Sequence, residues 1–176
     1  MDASQPPVAR AASLYLPLLT TAGFVVIVDQ VTKSLALDGL AEGPVDLIDG
    51  VLTLRLTFNT GGAFGILQSV PAFFLIASGA VVVMILFWVR RIEDRSWIVP
   101  LGLVLGGGIG NLIDRVMRDT PGVVDFVDLH VWPVFNVADS AITIGVIMML
   151  WLSLRSTGPA QSDAHERPGD PSSETR

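Results

Sequence analysis

Asp29, Lys33, Asn111, Asp114, Asn136 and Asp139 lie within, or at the ends of, stretches that are otherwise almost wholly apolar. An ionisable side chain in a membrane span costs about 2.5–3.5 kcal/mol on insertion scales, so each such residue marks a functional site by default. Asp29 and Lys33 are four apart and share a helical face, as an ion pair that is either structural or in contact with substrate. Asn111 with Asp114, and Asn136 with Asp139, are three apart and again share a face. Asp114 beside Arg115 reads as a fixed carboxylate–guanidinium pair, and Asn136, Asp139 and Ser140 would equally suit a plain helix cap. Asp125, in Val123-Val124-Asp125-Phe126-Val127-Asp128, sits in an apolar context on a loop and alone would pass for an ordinary loop aspartate. Together with Asp139 it is one of two carboxylates that a short loop brings to the same membrane surface. Such a pair can share a proton, one member acting as base and the other as acid.

Four stretches are of the length that crosses a bilayer, about 20 residues of helix: Leu14–Leu37, Pro71–Val89, Trp97–Ile113 and Phe135–Leu154. The first is not a secretory leader, because Asp29 and Lys33 occupy its last turns and three similar stretches follow. Between the first two, Val51–Phe58 alternates apolar and polar residues and is bounded by Asp49-Gly50 and Asn59-Thr60-Gly61-Gly62, the pattern of a strand between turns. The expected fold is a mainly α membrane protein, with four transmembrane helices and a small extracytoplasmic β-sheet in the first loop. Arg10, Arg90, Arg91, Arg95 and Arg155 flank one side of the spans, which puts both termini and the second loop in the cytoplasm. The first and third loops then face outward. Residues 1–13 and 158–176 are expected to be disordered cytoplasmic segments, the tail being rich in Pro, Ser, Asp and Glu. They flank a four-helix membrane domain over 14–157.

Apolar residues make up 51% of the 176 and charged ones only 16%, below the roughly 25% of soluble domains, which suits a bilayer. There is no cysteine, so thiolate metal sites and thiol nucleophiles are excluded. A net charge of -6 argues against a nucleic-acid partner. The two histidines, His130 and His165, are too far apart to suggest a metal site or a serine triad, so no metal and no cofactor is expected. Gly106-Gly107-Gly108-Ile109-Gly110 lacks the context of a dinucleotide loop and reads instead as a surface for close helix packing.

With these motifs in view the sequence resembles the lipoprotein signal peptidase (signal peptidase II) family over roughly residues 14–154. Asp29-Gln30-Val31-Thr32-Lys33, Asn59-Thr60-Gly61-Gly62-Ala63-Phe64-Gly65, Gly110-Asn111-Leu112-Ile113-Asp114-Arg115, and Val124-Asp125-Phe126 with Phe135-Asn136-Val137-Ala138-Asp139-Ser140 follow the family's order. Gly62 stands where the family commonly has alanine. The resemblance implies an aspartic endopeptidase that cuts diacylglyceryl-modified prolipoproteins before the lipidated cysteine and is blocked by globomycin. It implies Asp125 and Asp139 as the catalytic dyad. Asn111, Asp114, Arg115 and Asn136 would support the dyad and position substrate, and Asp29, Lys33, Asn59 and Gly61 would border the pocket. A monomer in the bacterial cytoplasmic membrane, in contact with lipid and with its site near the outer face, is the corresponding expectation. A small proton-coupled transporter would also place carboxylates in its spans, but would be expected to show inverted repeats, and none is visible.

Overall fold

The computed structural model describes residues 7–60 and 71–156. Gly61 and the tail from residue 158 lie outside them. Among the described residues are four α-helices: α1 (Pro7–Gly39), α2 (Pro71–Trp88), α3 (Ile98–Met117) and α4 (Val137–Ser156). Helix α1 starts at Pro7, so helix reaches into residues 1–13, for which disorder is the sequence expectation. Three helical stretches among the described residues are long and apolar enough to cross a membrane: Ala12–Gly39, Arg95–Met117 and Val137–Arg155.

Helix α3 is the centre of the bundle, packed between α1 and α4 and against α2. Its glycines make this possible. A Cβ on Gly102 or Gly106 would run into Thr21 or Ala22 of α1, and one on Gly107 into the Ala138 carbonyl of α4. Gly145 offers the reciprocal gap, against the Pro100 carbonyl. The glycine-rich run therefore lets three backbones approach closely, as the sequence suggested. Leu14, Leu18, Ile85, Val89, Leu101 and Leu105 fill the core at one end of the bundle. Leu16, Phe24 and Ile27 of α1 and Ile144, Ile147 and Leu150 of α4 are exposed, the apolar exterior that a lipid solvent requires.

The sheet differs from expectation in its make-up. Strands β1 (Val45–Ile48) and β2 (Leu52–Asn59) do come from the first loop, but a third strand, β3 (Val123–Asp128), comes from the loop between α3 and α4. The order is β1-β2-β3, antiparallel throughout. Asp125 is thus on a strand rather than a loop, opposite Thr57 of β2. The irregularity between Leu54 and Thr57 alters the pairing just before this point. Phe126 packs with Ala36 and Leu40 near the end of α1, and Leu54, Leu56 and Val137 close over them. This small core clamps the sheet onto the end of the bundle, at the level of Asp29, Asp114 and Asp139.

Candidate active site

The site is built outward from Lys33. Its ammonium is fully buried and meets Asp29 Oδ2 at 2.9 Å, Asp114 Oδ2 at 2.8 Å and Asn111 Oδ1 at 2.9 Å, one acceptor for each of its three N–H bonds. Asp29 also accepts the Ala138 backbone N–H at 2.9 Å, so a carboxylate of α1 caps the start of α4. Gly110 must be glycine for this geometry, because a Cβ there would collide with Asp29 Oδ2.

The expected Asp114–Arg115 pair is not what forms. Asp114 meets Lys33 and, at 3.2 Å, Arg118 Nε, and accepts from Gln30 Nε2 at 3.0 Å and the Val124 N–H at 3.1 Å. Arg115 follows Asp114 by one residue, which turns it about 100° round the helix and away from that carboxylate. It donates instead to the Asn111 carbonyl at 3.2 Å and lines a cavity of about 320 Å³ with Asn59, Thr60, Thr120 and Gly122. The Arg115 guanidinium is also within electrostatic reach of Asp139, Asp125 and, more weakly, Asp114. Gln30 and Arg118 were absent from the sequence-derived set. Gln30 ties three groups together, donating to Asp29, Asp114 and the Gly110 carbonyl, while its own oxygen accepts from Arg118 at 2.8 Å.

Two asparagines connect this ionic base to the proposed dyad. Asn111 Nδ2 donates to Asp139 Oδ1 at 2.8 Å. Asn136 donates through Nδ2 to Asp125 Oδ1 at 2.6 Å, with longer contacts to Asn111 Oδ1 and the Val124 carbonyl. Its own Oδ1 accepts the Asp139 backbone N–H at 2.9 Å, and the Asn136 N–H points back to Asp139 Oδ2 at 3.4 Å. That reciprocal pair is a capping box. The plain-cap reading of Asn136 and Asp139 and the functional one are therefore both satisfied, by the same atoms. Asn59 supplies a second side-chain hydrogen bond to Asp125.

Asp125 is 1% exposed. Burial, followed by the neighbouring Asp139 charge, pushes its carboxyl from 3.8 up to about 7, against the pull of Asn59, Asn136 and Lys33. Every buried side-chain polar atom among the described residues has a hydrogen-bond partner, so the network is closed around a carboxyl held ready to take or give a proton. No cluster of three or more potential metal-ligating side chains occurs among the described residues.

Buried, mutually linked aspartates in a membrane bundle are groups placed for carboxylate acid–base chemistry at the membrane. Residues 21–155 match the family model described as signal peptidase (SPase) II. The lipoprotein signal peptidase of Rhodococcus jostii (strain RHA1) is 40% identical over 162 residues, which cover 89% of this chain and 81% of that protein. That of Mycobacterium avium (strain 104) is 43% identical over 145 residues, 78% of each. A solved bacterial membrane enzyme, determined by the in meso method at 2.3 Å, superposes with a TM-score of 0.73 at 32% identity, covering 87% of this chain and 94% of that one. The chain belongs to the signal peptidase II family, and it is an aspartic peptidase of the bacterial membrane. The transporter reading is thereby set aside.

Proposed function

We propose that Asp125 and Asp139 are the catalytic dyad and that the substrate is a prolipoprotein whose cysteine carries a diacylglyceryl group. The observation that carries this reading is Asn136, whose side-chain Nδ2 donates to the Asp125 carboxyl and whose backbone N–H points to Asp139 Oδ2, while burial keeps Asp125 protonated to near neutral pH. The pair then shares one proton. The Asp139 carboxylate takes a proton from the attacking water while the Asp125 carboxyl donates its own to the scissile carbonyl oxygen; as the C–N bond breaks, Asp139 passes its proton to the leaving amine and Asp125 recovers one from the tetrahedral hydroxyl. Arg115 balances the single negative charge of the dyad, as Lys33 and Arg118 balance Asp29 and Asp114. The 320 Å³ cavity beside Asn59 and Arg115 receives the peptide flanking the scissile bond.

In this reading α2 is the fourth span, its 18 residues forming a continuous apolar run. The termini and the turn between α2 and α3 are cytoplasmic, and the sheet and dyad lie at the outer face of the cytoplasmic membrane. The diacylglyceryl chains anchor the substrate in the outer leaflet, which presents the bond before the cysteine at the depth of Asp125. The working unit is a monomer, because the site is built within one chain. The test is cleavage of a lipid-modified prolipoprotein by purified Asp125→Asn and Asp139→Asn proteins in detergent. Each is expected to lose at least about three orders of magnitude in turnover with folding retained. Turnover within tenfold of wild type in either variant would move the dyad elsewhere.

A further inference from the structure

At the end of the bundle opposite the dyad, the turn between α2 and α3 encloses a cavity of about 150 Å³ walled by Trp88, Arg91, Glu93, Trp97 and Leu101. The two indoles stand 6.2 Å apart, inclined at 57°. Most charged groups of this turn are already engaged. Arg90 Nε donates to Tyr15 Oη at 2.8 Å, Arg95 Nη2 to Ser13 Oγ at 2.9 Å, and Asp94 accepts from the Ser96 N–H and hydroxyl. Arg91 and Glu93 are exposed, line the cavity, and have no ion-pair or hydrogen-bond partner among the described residues, each other included. Three of the four tryptophans, Trp88, Trp97 and Trp151, lie at this end of the bundle, and Arg155 stacks over Trp151 at 3.5 Å. Tryptophan and arginine gathered at the ends of membrane spans mark the headgroup layer.

We infer that this cavity binds the headgroup of a membrane phospholipid that carries both a phosphate and a primary ammonium. Arg91 takes the phosphate, Glu93 the ammonium, and the indoles pack on the glycerol ester region. A purely anionic headgroup fits less well, because the carboxylates of Glu93 and Asp94 at the cavity would repel it with nothing in return. The site is separate from catalysis. Leu101 and Asp114 are 13 residues apart on α3, about 20 Å along the helix.

The test is native mass spectrometry of the full-length protein in detergent, given equal amounts of phosphatidylethanolamine and phosphatidylglycerol with the same acyl chains. The wild type is expected to retain the ethanolamine lipid at least about fivefold better. Arg91→Ala should lower retention of both lipids, and Glu93→Gln should erase the preference without lowering phosphatidylglycerol retention. Both variants should cleave prolipoprotein at the wild-type rate, which verifies their fold. A large excess of free phosphoethanolamine should not displace the lipid. Equal retention of the two lipids by the wild type, or wild-type behaviour of both variants, would overturn the inference. Displacement by free phosphoethanolamine would also overturn it, making the cavity a site for a soluble zwitterion.

Discussion

Asp125→Asn is expected to make the protein inactive and, at alkaline pH, more stable. The carboxyl ionises at about 7 in the folded protein and near 3.8 when exposed. Between those values the folded state still holds a proton that the unfolded chain has released, so stability falls as pH rises through this window, and the full deficit remains above it. At about 1.4 kcal/mol per pH unit the deficit is about 4 kcal/mol at pH 8 but only about 1 kcal/mol at pH 4.5. Asparagine keeps the oxygen that accepts from Asn136 Nδ2 and has no charge to desolvate, so it removes the deficit. Chemical denaturation in detergent at the two pH values should therefore show the variant more stable than wild type at pH 8, with most of the gain gone at pH 4.5. No gain at pH 8, or an equal gain at both, would refute the account of Asp125 as a buried carboxyl held protonated.

Lys33→Ala should destabilise the protein by about 3–5 kcal/mol, because it leaves the buried Asp29 and Asp114 carboxylates without their shared cation; the same denaturation assay reads this. Gly107→Ala should lower the melting temperature sharply and reduce cleavage, since its Cβ meets the Ala138 carbonyl and pushes α4 away from α3. Gly108→Ala is the control, its Cβ meeting only Val82 at 3.8 Å, and should fold as wild type. Reporter fusions after Arg95 should register as cytoplasmic and fusions near Asp46 as external, and an external signal at Arg95 would invert the proposed orientation.

What could be read in the sequence was local. Asp29–Lys33 and Asn136–Asp139 meet because helical spacing alone puts them on one face, and the α3 glycines show their purpose by having no side chain. Pairing Asp114 with Arg115 failed because adjacency in sequence is not adjacency on a helix. Arg118, at the i+4 position, was the partner that periodicity would have selected. Gln30 was passed over because it is uncharged, and its value lies in contacts 80 and 84 residues away. Strand β3 escaped notice because most of its residues are buried on both faces, which removes the alternation that exposed β2 to sequence reading, and its partner strand lies more than 60 residues earlier. Asn59 could be placed near the pocket only through the family motif, since its bond to Asp125 is a tertiary contact.

The Asp29 cap on Ala138 bears on the order in which the enzyme comes into being. Its proposed reactive centre draws one part from the first helix to leave the ribosome, another from the third, and the last from the fourth. Until α4 is inserted, Asp139 and Asn136 are missing, and with them the side chain that joins Asp125 to its partner. With Asp125 and Asp139 as the proposed dyad, a half-made chain would be inert, and hydrolytic power would arrive in one step with the closing helix.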